Sequence, residues 1–159
     1  MLAMTPTQFE ELTGKALEAM GYQEMKVSGG AGDLAADLHG KDHQGRSVIV
    51  QCKRYAPGNR VGSPALQQFI GIKAIHHKAD RGIYVTTADY SQQAIDLATE
   101  YDIVLIDGDD LVKITSLLLA SGTSIPTPAT GNKFCTECGA RNEVSAKFCA
   151  ECGTNVVPA

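Results

Sequence analysis

Three side chains in this sequence are of the types that cut phosphodiester bonds: Asp37, Gln51 and Lys53. Gln51 and Lys53 flank Cys52 in Val48-Ile49-Val50-Gln51-Cys52-Lys53-Arg54, a run whose β-branched start reads as a strand. Side chains alternate across a strand, so Gln51 and Lys53 share one face and Cys52 takes the other. Asp37, in Ala35-Ala36-Asp37-Leu38-His39, lies on the preceding strand-like segment, near enough in sequence for a neighbouring strand. A carboxylate and an amide oxygen are ligands for a hard cation such as Mg²⁺, and an ammonium beside them steadies the water that the ion activates. The residues alone leave this reading open against a merely polar strand end. Cys52 faces away from the pair and reads as a small buried hydrophobe. His39, His43, His76 and His77 are scattered and read as solvated or half-buried.

A second constellation lies near the C-terminus. Lys133-Phe134-Cys135-Thr136-Glu137-Cys138-Gly139 is echoed by Lys147-Phe148-Cys149-Ala150-Glu151-Cys152-Gly153. The spacing is C-x2-C-x10-C-x2-C. Two thiolate pairs on tight turns can close a tetrahedral Zn²⁺ shell. A redox pair would need a thioredoxin-like helix, which this segment lacks, and a reduced compartment disfavours disulfides. With Cys135, Cys138, Cys149 and Cys152 all engaged, the Zn²⁺ is expected to be structural, and metal binding and folding of the module to be one event.

The elements that must position these groups follow from capping and periodicity. Thr5-Pro6-Thr7-Gln8 predicts a helix start with a capping box, followed by Phe9, Leu12, Ala16 and Met20 at helical spacing and a stop at Gly21. Strands are predicted near 23–27, 35–39 and 47–55, with a hairpin turn at His43-Gln44-Gly45-Arg46. Ser63-Pro64 predicts a second capped helix with Leu66, Phe69, Ile70 and Ile75 inward. Gly82–Thr86 and Ile103–Ile106 read as buried strands, separated by a helix that Ser91 caps and that packs through Ala94, Ile95, Ala98 and Tyr101. A last helix starts near Asp109. The later strand–helix alternation implies parallel pairing and the earlier meander antiparallel pairing, so the predicted fold class is α/β, a mixed sheet flanked by helices. Residues 121–132 are rich in Gly, Ser, Thr and Pro and read as a flexible linker.

The ordered blocks resemble the Mrr-like branch of the PD-(D/E)XK nucleases, the restriction-endonuclease-like fold. They are Phe9-Glu10-Glu11 on the first helix, the turn Gly29-Gly30-Ala31-Gly32-Asp33 leading to Asp37, Gln51-Cys52-Lys53-Arg54-Tyr55 with Val61-Gly62, Gly82-Ile83-Tyr84-Val85-Thr86-Thr87, Ser91-Gln92-Gln93-Ala94 and Ile103-Val104-Leu105-Ile106-Asp107-Gly108. The resemblance runs from Gln8 to about Lys113, and Ala35 departs from it, standing where the family's G-D-x-G-x-D carries its second Gly. It implies an endonuclease domain over 1–120, which the linker composition of 121–132 and the cysteine spacing extend by a zinc ribbon over 133–159. It implies that Asp37 is the main Mg²⁺ ligand, Gln51 the second, and the Cys52 carbonyl a third. Lys53 then orients and activates water, Glu10 is an outer ligand or water holder, and Asp33 a weaker candidate. Gln in place of the usual Glu removes a negative charge, so the ion should bind loosely and arrive mainly with the substrate phosphate.

Bulk properties narrow the partners. A formal net charge of −4 argues against a broad electrostatic binder of nucleic acid. Yet Lys41, Arg46, Lys53, Arg54 and Arg60 cluster in sequence with only Asp42 among them, which predicts a local phosphate-binding groove formed by Lys41, Arg46, Arg54 and Arg60 around the site. No run is long enough to span a membrane and no signal region opens the chain, which predicts a cytoplasmic protein with reduced thiols. The resemblance implies DNA as the partner and modified bases as a target; a homodimer would supply the two sites needed to cut both strands, and the ribbon a contact for a further protein. The rival functions are a non-catalytic DNA-binding protein on the same fold and an adaptor that docks through its ribbon.

Overall fold

The computed structural model describes residues 4–28, 36–56, 58–120, 132–134, 141–143 and 147–148. Its centre is a five-stranded sheet in the order β1-β2-β3-β5-β7. The strands are β1 (Gln23–Val27), β2 (Leu38–Lys41), β3 (Ser47–Lys53), β5 (Arg81–Thr86) and β7 (Ile103–Ile106). The meander β1-β2-β3 is antiparallel, whereas β3, β5 and β7 run parallel. The central strand β3 therefore carries the switch from one pairing mode to the other.

Two layers of helices bury the two faces. Helices α1 (Pro6–Ala19) and α4 (Gly108–Ala120) cover one face, where Phe9, Leu17 and Leu111 meet Val48, Val50, Ile83 and Val85. Helices α2 (Ser63–Ile72) and α3 (Gln92–Glu100) cover the other, where Leu66, Phe69, Ala94 and Ala98 meet Ile49, Tyr84 and Ile103. Both crossovers thus lie on one face, as parallel pairing of β3, β5 and β7 with a single handedness requires. The alternation along β3 holds through its length: Val48 and Val50 pack under α1 and α4, Ile49 under α2 and α3. A small parallel pair, β4 (Arg60–Val61) with β6 (Asp89–Tyr90), follows the carboxyl ends of β3 and β5.

Local chemistry sets the ends of these elements. The capping box on α1 is present: the Thr5 N–H donates to Gln8 Oε1 at 2.8 Å and the Gln8 N–H to Thr5 Oγ1 at 3.0 Å. The β2–β3 hairpin is closed by Asp42, whose Oδ1 accepts the N–H groups of Gln44 at 2.8 Å and Arg46 at 3.0 Å, with Gly45 at φ +76°. Several expectations are corrected. Gly62, not Ser63, is the N-cap of α2, and no side chain caps that helix. Ile75 is 70% exposed. It lies about half a turn away from Leu66 around a 3.6-residue helix, and the π-helical turn Lys73–His77 that follows α2 leaves it outward. On α1 the inward residue is Leu17 rather than Met20, and on α3 Leu97 rather than Ile95 or Tyr101, which are exposed.

The predicted linker lies outside the described residues. Within the cysteine-rich segment, β8 (Asn132–Phe134) pairs antiparallel with β9 (Arg141–Glu143), Phe134 opposite Arg141. Cys135, Cys138, Cys149 and Cys152 lie outside the described residues, as do Asp33 and Ala35. Among the described residues no helix is long and apolar enough to cross a membrane.

Candidate active site

Asp37 sits one residue before β2, and its backbone is bonded on both sides. Its N–H donates to Val50 O at 2.8 Å, and its carbonyl accepts from the Ser28 N–H at 2.8 Å. The side chain is held as firmly: Oδ2 accepts the Cys52 backbone N–H at 2.6 Å and the Gln51 Nε2–H at 2.5 Å. Sequence reasoning separated these residues by fourteen positions, and the antiparallel pairing of β2 with β3 closes that gap. Gln51 is only 4% exposed, and Lys53, two residues on along the same face, is exposed at the strand end. Amide, carboxylate and ammonium are thus gathered at the carboxyl end of the strand where the sheet changes pairing mode.

Glu10 reaches the same place from α1. Burial pushes its carboxyl up, the Asp37 charge pushes it further, and the Arg54 guanidinium pulls it back. Asp37 is likewise raised by burial, against the Cys52 N–H, the Lys53 charge and the Gln51 amide, which all pull it down. Desolvation wins even with two donors on one oxygen. A buried carboxyl whose charge also raises a second one, Glu10, is the electrostatic condition that a cation relieves. Among the described residues no three His, Cys, Asp or Glu side chains gather to hold a metal on their own. The donor set that fits a hard ion therefore needs neutral oxygens as well: the Gln51 amide and the strand carbonyl of Cys52 beside the Asp37 carboxylate. The Cys52 thiol is pushed well up by burial first and then by the Asp37 and Glu10 charges, so it stays protonated and is no nucleophile.

The basic residues that cluster in sequence separate in space. Lys41 and Arg46 belong to the hairpin at the far end of β2 and β3, roughly 20 Å along the strand from Lys53 at ~3.3 Å per residue. Lys41 pairs with Glu24 at 3.0 Å and Arg46 with the buried Asp42 at 2.7 Å. Arg54 is half-buried and donates to the Met4 carbonyl at the entrance to α1, within electrostatic reach of Glu10. Arg60, exposed on β4, is the remaining member at the site end. Two residues at this end escaped sequence reasoning. Thr87 Oγ1 accepts the Tyr55 N–H and donates to the Tyr55 carbonyl, both at 2.9 Å, tying the exit of β3 to the end of β5. Tyr84 is the in-register neighbour of Gln51. No local pattern in the sequence signals it, because the pairing comes from the register of β3 on β5.

A restriction endonuclease family of the Mrr catalytic type matches residues 1–115, and a zinc-ribbon family matches residues 134–156. The chain belongs to the Mrr-type restriction endonuclease family. It is 36% identical over 121 residues to the type IV methyl-directed restriction enzyme EcoKMrr of Escherichia coli (strain K12), an alignment covering 72% of this chain and 39% of that enzyme. The chain therefore spans well under half the length of this relative. The fold of the family is shared by two solved structures. The DNA modification-dependent restriction endonuclease AspBHI superposes with a TM-score of 0.55 at 19% identity, covering 74% of this chain and 32% of that one. The MspJI restriction endonuclease, in complex with a 27-mer oligonucleotide, superposes with a TM-score of 0.53 at 21% identity, covering 76% and 34%.

The raised Asp37 carboxyl gives a sign that can be checked. A carboxyl raised on folding holds its proton more tightly in the folded chain than in the unfolded one. The stability it contributes is present at low pH and lost as pH rises through the raised folded value. Asp37→Asn removes that loss and keeps the shape. In EDTA, the melting temperature of the variant should match wild type near pH 4, the ordinary carboxyl range, to within about a degree. By neutral pH it should exceed wild type by on the order of a few degrees. A variant less stable than wild type at neutral pH would show that the donors and Lys53 outweigh the burial.

Proposed function

We propose that this chain is a divalent-metal-dependent endodeoxyribonuclease of restriction type that hydrolyses phosphodiester bonds in DNA carrying modified bases. The observation that carries the reading is the Asp37 carboxylate locked to the Gln51 amide and the Cys52 N–H, with Lys53 next on the same strand face. The preference for modified DNA rests on what relatives are named for: one is methyl-directed and another modification-dependent.

Asp37, the Gln51 Oε1 and the Cys52 carbonyl would hold a Mg²⁺ ion, which supplies Lewis-acid polarisation of a phosphoryl oxygen and of the attacking water. The rest falls to the chain's own groups. The rigid backbone around Asp37 holds the Asp37 carboxylate and the Cys52 carbonyl in place before substrate arrives. The Lys53 ammonium orients the water, lowers the free energy of hydroxide beside it, and offsets charge that builds on the phosphoryl oxygens. Glu10, within electrostatic reach of Asp37, takes an outer position as a ligand or water holder. Arg60 contacts the phosphate backbone, which positions the duplex without reading bases. Lys41 and Arg46, already paired at the far end of the hairpin, contribute little to that contact. Cutting both strands in one encounter requires two such sites, so two copies act on one duplex.

In a plasmid cleavage assay, Asp37→Ala and Lys53→Ala each lower the Mg²⁺-dependent rate by at least about 10²-fold, the scale of losing one electrostatic stabiliser of the transition state. Both variants keep the wild-type circular dichroism, because both groups sit at a strand end. A variant that cuts at the wild-type rate removes that residue from the site.

The C-terminal segment is proposed to be a zinc ribbon over residues 133–159, with Cys135, Cys138, Cys149 and Cys152 holding one structural Zn²⁺, joined to the nuclease domain (1–120) by a linker over 121–132. The match to a zinc-ribbon family over 134–156 supports it. Metal analysis of reduced protein should return one zinc per chain, and a chelator should change the signals of the ribbon while leaving the melting of the nuclease domain in place. Zinc-free reduced protein, or a single melt of the whole chain on chelation, contradicts the assignment.

A further inference from the structure

The orientation of the Gln51 amide in the structure is the wrong one for a metal ligand. Its Nε2 faces Asp37 and donates to Oδ2 at 2.5 Å. An amide nitrogen has no lone pair to give a cation, so only Oε1 can ligate. For Asp37 and Gln51 to share one ion, the amide must turn about its last bond. The turn needs no extra room, because the two ends of the amide are nearly the same shape. It does strand the NH₂ group, which loses Asp37 as its acceptor. Gln51 is 4% exposed, and a buried donor left without a partner costs most of what the turn gains.

An acceptor stands beside it. In the parallel pairing of β3 with β5, Tyr84 lies directly opposite Gln51, on the same face and one strand spacing away, about 4.8 Å. Tyr84 is 2% exposed. Its ring is fixed edge-on by Phe69, with centroids 5.5 Å apart, and by Tyr90 at 6.3 Å. Tyr90 in turn spends its own hydroxyl on the Tyr84 carbonyl at 2.7 Å, which holds the strand and not the phenol. The Tyr84 hydroxyl makes no hydrogen bond among the described residues, although it lies within electrostatic reach of Tyr55 and Asp37. A phenol both donates and accepts. We propose that the Tyr84 hydroxyl is the acceptor for the Gln51 NH₂ group once Gln51 Oε1 turns to the metal, so that Tyr84 is a positioning residue that sets the amide in its ligating orientation. This rests on the metal-dependent reading of the site given above. It also gives the phenol a chemical reason for its place. A carboxylate in the position of Gln51 offers an oxygen whichever way it turns, whereas an amide needs a neighbour that tells its two ends apart.

The test is a double-mutant cycle read as metal affinity, with no DNA cleavage involved. Mn²⁺ binding to the full chain, with its zinc in place, is followed by electron paramagnetic resonance for wild type, Tyr84→Phe, Gln51→Glu and the double variant. Tyr84→Phe removes one oxygen and keeps the packed ring. It should weaken Mn²⁺ binding about three- to tenfold, the worth of a single hydrogen bond to a group otherwise left unpaired. In the Gln51→Glu background the same change should alter affinity by less than about twofold, because the carboxylate has no end to orient. Unchanged affinity in Tyr84→Phe, or an equal loss in both backgrounds, overturns the role of Tyr84 while leaving the metal site standing. A wild-type chain that takes up no Mn²⁺ beyond the zinc-loaded ribbon overturns the metal-dependent reading and the role of Tyr84 together.

Discussion

The candidate site depends on one carboxylate held where two kinds of strand pairing meet. Asp37 Oδ2 takes the Cys52 N–H and the Gln51 Nε2–H, and its backbone is bonded to Ser28 on one side and Val50 on the other. The end of β3 is thereby fixed against the start of β2 at the point where the antiparallel meander gives way to parallel strands. Burial raises the Asp37 carboxyl in spite of these donors, so the junction is an unfavourable place for a charge in the absence of a cation. Stability and function pull in opposite directions here. The local cost is met by the apolar layers on both faces of the sheet, where Leu12, Leu17, Leu38, Leu66, Val50, Ile83, Val85 and Leu111 are fully buried.

Those layers also aim the connections. Gly108 has no side chain, and a Cβ there would lie 2.6 Å from the Thr87 carbonyl oxygen. Its N–H donates to Ala88 O at 3.3 Å. The start of α4 can therefore lie against the loop that ends β5, while Thr87 ties that loop to Tyr55 after β3. Three connections converge at the carboxyl ends of the parallel strands, and the exposed Lys53 and Arg60 stand at that end. The ion pairs of Lys41, Arg46 and Arg81 are gathered at the opposite end, where Asp42 closes the hairpin.

Much of this was legible in the sequence because it rests on short-range rules. The capping box of Thr5 and Gln8, the Asp42–Arg46 turn and the β-branched strands each follow from residues within a few positions of one another. The strand period alone puts Gln51 and Lys53 on one face and Cys52 on the other. What failed was long-range or depended on phase. Lys41 and Arg46 are neighbours of the site in sequence, but a strand of seven residues carries them to its far end. Hydrophobicity alone predicts Ile75 inward, against the helical phase set by Leu66 and Phe69. Local pattern marks Tyr84 only as core, since its place beside Gln51 comes from the register of β3 on β5.

The central claim is that Asp37, Gln51 and Lys53 form a metal-dependent site for cutting DNA. Its most direct test is the single-turnover rate of duplex cleavage by the wild-type chain, measured on methylated and unmethylated DNA across a Mg²⁺ titration and in EDTA. The account predicts no cutting in EDTA and a rate that rises through the millimolar range of Mg²⁺, as a donor set with one carboxylate and neutral oxygens implies. Cleavage at the same rate in EDTA would contradict it.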